Sequence, residues 1–467
     1  MQKKTFWIIL IIVAAIILAV LVSYFAFGRS FGIETANKYY NGGNQQFKQK
    51  EYTQAIASFE KALSLGGDKE IKVKIYLGLG EIYELKSQFT KAENNYRSAI
   101  DVDQEDESAL LALMRLNLKF GRYQEIINEH SRLIDRDESR LILARAYLVQ
   151  EGLEKALEIL GDQGGEALYL QGLIRLVQKN PAEAKDLLGQ SRPRVGEILQ
   201  RKIDKTLTGI KGLEAEKNQA YYFALAGKLA NDLGESEFAL VAFNKALQVL
   251  PDYRDAWLGM GYAYLKRMCY QDAEESLKIA LKYDPVYATT QYLLGKVYFE
   301  QDQFKQATLA FKRAERKGYK KADLCFDLAW SYQKQKDYKK AVLNYKKAIK
   351  INPDDYSSYL QAVYLYLFEL DQIESAEKLI APLVEKDYSD VAAATLEGMI
   401  FVKKNQLEEA EDKLKTARES QVDFAYTYYV EALLYKEKGD SEKAKESYTR
   451  AINLDLKGEL SDWEEVR

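Results

Sequence analysis

Histidine occurs once in these 467 residues, cysteine twice and proline six times. Each scarcity closes off a class of chemistry. One histidine, His130, cannot supply an HExxH metal pair, and the two isolated cysteines, Cys269 and Cys325, form no CxxC motif and do not make a disulfide framework. No phosphate-binding GxxxxGK loop is present. The five residues from Gly28 to Gly32 match a nucleophile elbow around Ser30. That turn needs a strand before it and a histidine partner elsewhere, so the match reads as coincidence. His130 falls where a bulky packing residue is wanted, four places after Ile126, and Cys269 falls in a turn. No catalytic residue, metal ligand or cofactor site is expected.

Charge of one sign is lacking as well. The 67 Lys and Arg against 70 Asp and Glu leave a formal charge of -3. That balance gives no support to nucleic-acid binding, which usually needs a basic stripe. No asparagine begins an N-glycosylation sequon, a weak sign of a bacterial envelope rather than a eukaryotic secretory route.

One long hydrophobic run is present. Phe6 to Phe27 is 22 residues without a charge. At 1.5 Å per residue it extends roughly 33 Å, enough to cross a bilayer core. Phe6, Trp7, Tyr24 and Phe25 stand at its two ends, where interfacial aromatics belong. The reading is an uncleaved anchor in the lipid bilayer; the rival is a signal peptide cut near Ala26-Phe27-Gly28, although the run exceeds the usual signal core. Lys3 and Lys4 before it favour an inside N-terminus, weakened by Arg29 and Lys38 after it. The expected location is therefore a bacterial inner membrane, with the large domain facing the periplasm or exterior and a cytoplasmic domain as the alternative.

What fills the rest of the chain is a repeat. Ala239, Ala273, Ala307 and Ala341 follow one another at 34 residues. Twelve before each stands a small residue (Gly227, Gly261, Gly295, Ala329), four after each a bulky one (Phe243, Leu277, Phe311, Tyr345) and seven after each another alanine (Ala246, Ala280, Ala314, Ala348). Twelve after three of them is a proline: Pro251, Pro285 and Pro353. Steps of four and three place alanine, ring and alanine on one helical stripe, while the small residue lets a preceding helix approach. Proline then stops the second helix. The same register, with less fidelity, surrounds Ala55, Ala92, Ala376, Ala410 and Ala444, and degenerate units centre on Ile126, Ala156 and Ala184.

This pattern resembles the tetratricopeptide repeat family. The resemblance implies an all-α, right-handed superhelical solenoid of about a dozen helical hairpins, preceded by one transmembrane helix. It divides the chain into a head (1–5), the anchor (6–27), a linker (28–35), a degenerate sub-array (36–188), a helical joint without repeat anchors (189–219), a second array (220–455) and a capping tail (456–467). A charged helix is expected around Val195 to Leu207 in the joint, and Trp463 is the candidate cap of the tail. The 34 tyrosines are accounted for by repeat packing.

The resemblance also places a binding face. In the family the first helix of each hairpin lines a concave surface that holds peptide segments. Transferred by register, the inward residues are Leu258, Tyr262 and Leu265, then Tyr292, Lys296 and Phe299, then Phe326, Trp330 and Gln333, with Lys266 and Lys334 at the rim. An apolar helix or extended segment with acidic flanks would suit that face. The alternative is that these side chains pack between neighbouring first helices. The family's carboxylate clamp is not expected, because Asn44 holds one of its places but Tyr40 stands where lysine is required. The function expected is a non-enzymatic scaffold that positions protein partners of a cell-envelope machine such as a motor, pilus, secretion or cell-wall assembly. A chaperone-like adaptor and a regulatory subunit of a membrane enzyme are the alternatives, and arrays of this kind often self-associate through end repeats.

Overall fold

In this computed structural model, residues 33–129, 137–150, 152–161, 164–385, 391–419, 422–455 and 460 are described. The anchor at 6–27, His130 and Trp463 lie outside them. Among the described residues every regular element is helical, and no helix is long and apolar enough to cross a membrane.

The chain separates into two units. The first joins residues 1–113 to 414–467. It contains α1 (33–48), α2 (Tyr52–Leu65), α3 (Lys69–Leu85) and α4 (Phe89–Val102), followed late in the chain by α24 (Ala425–Glu437) and α25 (Ser441–Leu454). Two further helices, α5 (Glu107–Lys119) and α23 (Leu407–Glu419), run across the unit boundaries. Within the first unit, α25 meets α2. Asn453 Oδ1 accepts both the Thr53 amide (2.9 Å) and the Thr53 hydroxyl (2.8 Å), and Asn453 Nδ2 donates to Gln54 Oε1 at 3.0 Å.

The second unit runs from 114 to 413. It opens with α6 (Tyr123–Glu129), α7 (Asp137–Gln150), α8 (Leu153–Leu160), α9 (Gly165–Val177) and α10 (Pro181–Ser191). The short second helices α8 and α10, of 8 and 11 residues, account for the compressed spacing of the degenerate repeats around Ala156 and Ala184. The joint is α11 (Glu197–Ala215), which extends well past the expected end at Leu207. It buries Ile203, Thr206, Ile210 and Leu213 and packs between its neighbours, so a single helix stands where a hairpin would. Regular hairpins follow: α12 (Gln219–Leu233) with α13 (Ser236–Val249), α14 (Arg254–Lys266) with α15 (Tyr270–Tyr283), α16 (Ala288–Glu300) with α17 (Phe304–Arg316), and α18 (Ala322–Lys334) with α19 (Tyr338–Ile351). Last come α20 (Tyr356–Tyr364), continued by a π-helical turn over Leu365–Glu369, then α21 (Ile373–Val384) and α22 (Val391–Lys403).

The register read from the sequence is the register of burial. Ala239, Ala273, Ala307 and Ala341 are wholly buried, as are their partners seven residues on, and so are Ala55, Ala92, Ile126, Ala156, Ala184, Ala376 and Ala410. The small residue of the first helix is held by contact. A Cβ on Gly227 would stand 2.8 Å from Phe243 Cδ1, and one on Gly261 2.6 Å from Leu277 Cγ. Such overlaps would force the two helices of the hairpin apart.

A second periodic requirement emerges from the backbone. Five residues before eleven of the twelve anchors, Ala156 excepted because that position lies outside the described residues, the chain adopts left-handed φ, at Lys50, Ser87, Gly121, Lys179, Gly234, Met268, Asp302, Lys336, Asp371, Asn405 and Gly439. This residue ends the first helix and turns the chain back for the second. Only three of these eleven positions carry glycine. The others each accept a cost of about 1 kcal/mol, which the packed hairpin overcomes.

Candidate protein-binding groove

The first helices α12, α14, α16 and α18 of the second unit border a groove of about 1170 Å³. Six of the eleven residues assigned by register line it: Leu258, Tyr262, Leu265 and Lys266 from α14, and Tyr292 and Lys296 from α16. Lys266 Nζ sits 5.4 Å from the centre of the Tyr262 ring.

The other five do not line it. Phe299, Phe326 and Trp330 pack on one another, with ring centres 5.1 Å apart for Phe299–Trp330 and 5.8 Å for Phe326–Trp330, and Phe326 also meets Tyr345 at 5.5 Å. Here the alternative reading applies: these rings fill the space between successive hairpins. Gln333, the last of the register set, is buried and accepts the Tyr345 hydroxyl at 2.8 Å. Lys334 lies on the same helix, away from the groove lining.

Tyr292 is a mixed case. Its ring is stacked on Tyr319 at 4.4 Å, and its hydroxyl donates to Asp327 Oδ2 at 2.9 Å. Lys296 Nζ reaches the other oxygen of the same carboxylate at 3.1 Å. Burial pushes the Asp327 carboxyl above the ordinary aspartate range, although Lys296 and Tyr292 pull it back. Burial and the Asp327 charge likewise push the Tyr292 hydroxyl upward. The groove therefore has one floor that is already satisfied, and its open contact area lies in the side chains around it.

Those side chains include residues that the register transfer missed. Tyr221, Tyr253, Tyr270, Tyr287 and Tyr319 also face the groove, with Leu225. Tyr221 and Tyr253 lie 5.2 Å apart between ring centres, and the Arg254 guanidinium stacks 3.6 Å from the centre of Tyr287. Tyr253 and Tyr287 are 34 residues apart, a periodicity visible in the sequence. They stand at the helix N-termini, outside the three positions per helix that the resemblance supplied. The lining carries five carboxylates (Glu216, Asp232, Asp255, Glu300, Asp323) against three lysines (Lys228, Lys266, Lys296). Acids thus outnumber lysines at the lining, whereas the expectation of acidic flanks on a partner rested on scattered lysines.

A second constellation, also unforeseen, is charged and buried. Arg145 on α7 contacts Glu235 Oε2 at 2.7 Å and Glu237 Oε2 at 3.2 Å, at the start of α13. Lys202 Nζ on α11 reaches Glu235 Oε1 at 2.7 Å, and Arg267 pairs with Glu237. The Tyr169 hydroxyl donates to Glu235 Oε1 at 3.3 Å. Burial alone would raise the Glu235 carboxyl, yet Arg145 and Lys202 hold it below the ordinary glutamate value. The two acids sit at a helix N-terminus, where the dipole favours negative charge. This cluster joins segments far apart in sequence and is closed by protein partners, so it reads as structure.

The remaining residues that could carry chemistry are packed. Cys325 is buried. Cys269 stands at the N-cap position of α15, and its thiol donates to the Phe120 carbonyl at 3.2 Å, a contact beyond its own turn. In the first unit Tyr40 packs against Phe59 with ring centres 6.1 Å apart.

Comparison with known proteins agrees with the hairpin register. Residues 34–105, 269–322, 322–355 and 425–457 match family models described as tetratricopeptide repeat. Tetratricopeptide repeat protein 21B of Homo sapiens is 23% identical over 409 residues, covering 73% of this chain and 29% of that protein. TPR repeat-containing protein YpiA of Bacillus subtilis is 26% identical over 268 residues, covering 54% of this chain and 60% of that one. Anaphase-promoting complex subunit 3 of Schizosaccharomyces pombe is 28% identical over 118 residues, 25% of this chain and 18% of that protein. The chain thus spans less than two thirds of each of these relatives. Among solved structures, the APC/C hetero-tetramer Cut9-Hcn1 aligns over 90% of this chain and 95% of its own, at 14% identity and a TM-score of 0.37.

Proposed function

We propose that this chain, which carries tetratricopeptide repeats, is a non-enzymatic scaffold whose recognition surface is the tyrosine-lined groove of its second unit. The observation that carries this reading is the convergence of seven tyrosines from four successive hairpins on one groove of about 1170 Å³. Tyrosine offers a large, rigid, amphipathic contact at a low entropy cost. With acids in excess at the lining, the partner is an extended or helical protein segment with apolar anchors and basic flanks. Basic side chains would be met by the carboxylates and by ring faces. A subunit of a multiprotein assembly among the relatives is in keeping with a scaffold.

The finer reading concerns location. We place the chain at a bacterial cell envelope, held by residues 6–27 in the inner membrane, with the array outside the cytoplasm. There it positions partners of a motor, pilus, secretion or cell-wall assembly. The uncharged run of 22 residues flanked by aromatic residues supports the anchor.

The test compares the full chain with a Tyr253→Ala, Tyr262→Ala variant, both solubilised from membranes. The wild type retains partners in fixed stoichiometry, and the variant loses about tenfold or more of that capture, since truncating aromatic anchors costs more than 1 kcal/mol each. Equal thermal midpoints show that folding is intact. Unchanged capture by a folded variant would place binding elsewhere, and release of clients with suppression of aggregation would make the chain a chaperone-like adaptor.

A further inference from the structure

Residues 304–351 hold fourteen Lys and Arg and four Asp and Glu, an excess of ten positive charges inside a chain whose net charge is -3. The excess is ordered by the repeat. On α17, Lys305, Leu309, Lys312 and Arg316 follow at steps of four, three and four; on α19, Lys339, Leu343, Lys346 and Lys350 reproduce them 34 residues later. Those steps keep each set on one helical face. All eight residues are exposed, and Leu309 and Leu343 are 56% and 57% accessible. The two helices run side by side, since Lys347 Nζ on α19 reaches Glu315 Oε1 on α17 at 2.8 Å. Among the described residues, none of the six cations in the two rows forms an ion pair.

The pattern is not a by-product of the fold. The same register positions read Gln271, Glu275, Lys278 and Lys282 on α15, and Glu374, Lys378, Ala381 and Glu385 at α21. Among the described residues, only two adjacent hairpins present the rows.

We propose that this outer face of α17 and α19 docks on the anionic surface of a lipid bilayer. Two rows of unpaired cations meet headgroup phosphates, while Leu309 and Leu343 enter the boundary between headgroups and acyl chains. Long Lys stems can lie along that apolar boundary and keep their charges at the headgroups. Nucleic acid is the less suited anion, because single strands are held by stacking on aromatic rings, and both rows contain aliphatic residues only. The reading of residues 6–27 as an anchor would keep a bilayer at hand; the charge pattern stands without it.

The full chain is reconstituted in vesicles of neutral phosphatidylcholine and in vesicles that also contain anionic phosphatidylglycerol. Acetylation of each lysine is followed by mass spectrometry. Lys305, Lys312, Lys339, Lys346 and Lys350 are expected to label severalfold more slowly on anionic vesicles only, with Lys228 in the groove as an unchanged reference. Protection disappears near 1 M salt, where the Debye length is about 3 Å. A Lys312→Glu, Lys346→Glu variant, with an unaltered thermal midpoint, loses it as well. Equal labelling on the two vesicle types overturns the proposal, as does protection by an oligonucleotide but not by anionic vesicles. An alkaline wash that strips the chain from both vesicle types rejects the anchor alone; the stripe is then read by low-salt flotation on anionic vesicles.

Discussion

Tyr292 on α16 donates its hydroxyl to Asp327 on α18 at 2.9 Å, so two successive first helices are linked through a buried carboxylate that also holds Lys296. The bond fixes the floor of the groove and leaves the surrounding tyrosines as its contact area.

Asp327 has a pH signature. Its carboxyl lies above the ordinary aspartate range because of burial, opposed by Lys296 and Tyr292. The folded state therefore binds this proton more tightly than the unfolded state does. Stability from this group is greatest in acid and declines as pH rises through the folded value. Asp327→Asn should remove that declining component, seen as a difference between the two proteins in melting temperature against pH.

Glu235 has the opposite sign. Burial opposes its ionisation, but Arg145 and Lys202 prevail and depress its carboxyl. Its stabilisation is present above the unfolded value of about 4.3 and is lost as pH falls through the lower folded value. Glu235→Gln leaves Arg145 partly unpaired and should cost about 3 kcal/mol at neutral pH. Urea midpoints measure the loss, which should shrink in acid.

The left-handed turn residues predict a split between types. Gly234→Ala, at φ 76°, should destabilise by about 1 kcal/mol. Ser87→Gly, at φ 56°, should gain up to about 1 kcal/mol, less the entropy that glycine adds to the unfolded chain. Denaturant titration resolves both, and equal signs would refute the strain.

Asn453 predicts coupling within the first unit. Asn453→Ala leaves the Thr53 amide without its acceptor, a loss of about 1–3 kcal/mol. Hydrogen exchange should then quicken together in α2 and α25. Faster exchange in α25 alone would show that the contact does not hold the two ends.

Much of the fold was legible because repeat packing is local. Ala273, Leu277 and Ala280 share a stripe with steps of four and three, and their burial follows from helix geometry alone. The left-handed turn was hidden because eight of its eleven residues are not glycine. The basic face was hidden too, since a net charge of -3 averages it with acidic repeats elsewhere.

The groove was legible only in part. Of the residues that register assigned to one surface, Leu258, Tyr262 and Leu265 line the groove, whereas Phe299 and Trp330 pack on each other. Whether a first-helix side chain faces a groove or a neighbouring ring depends on how each hairpin is rotated against the next, and periodicity within a hairpin carries no record of that angle. The Arg145–Glu235 pair, 90 residues apart, is of the same kind. The sequence by itself determined the helices, their hairpin register and the buried alanine and aromatic stripe, because these arise from contacts within one repeat. Only the tertiary structure decided which tyrosines converge on a groove, which aromatics close on one another and which charges meet in the interior, because those depend on contacts between repeats.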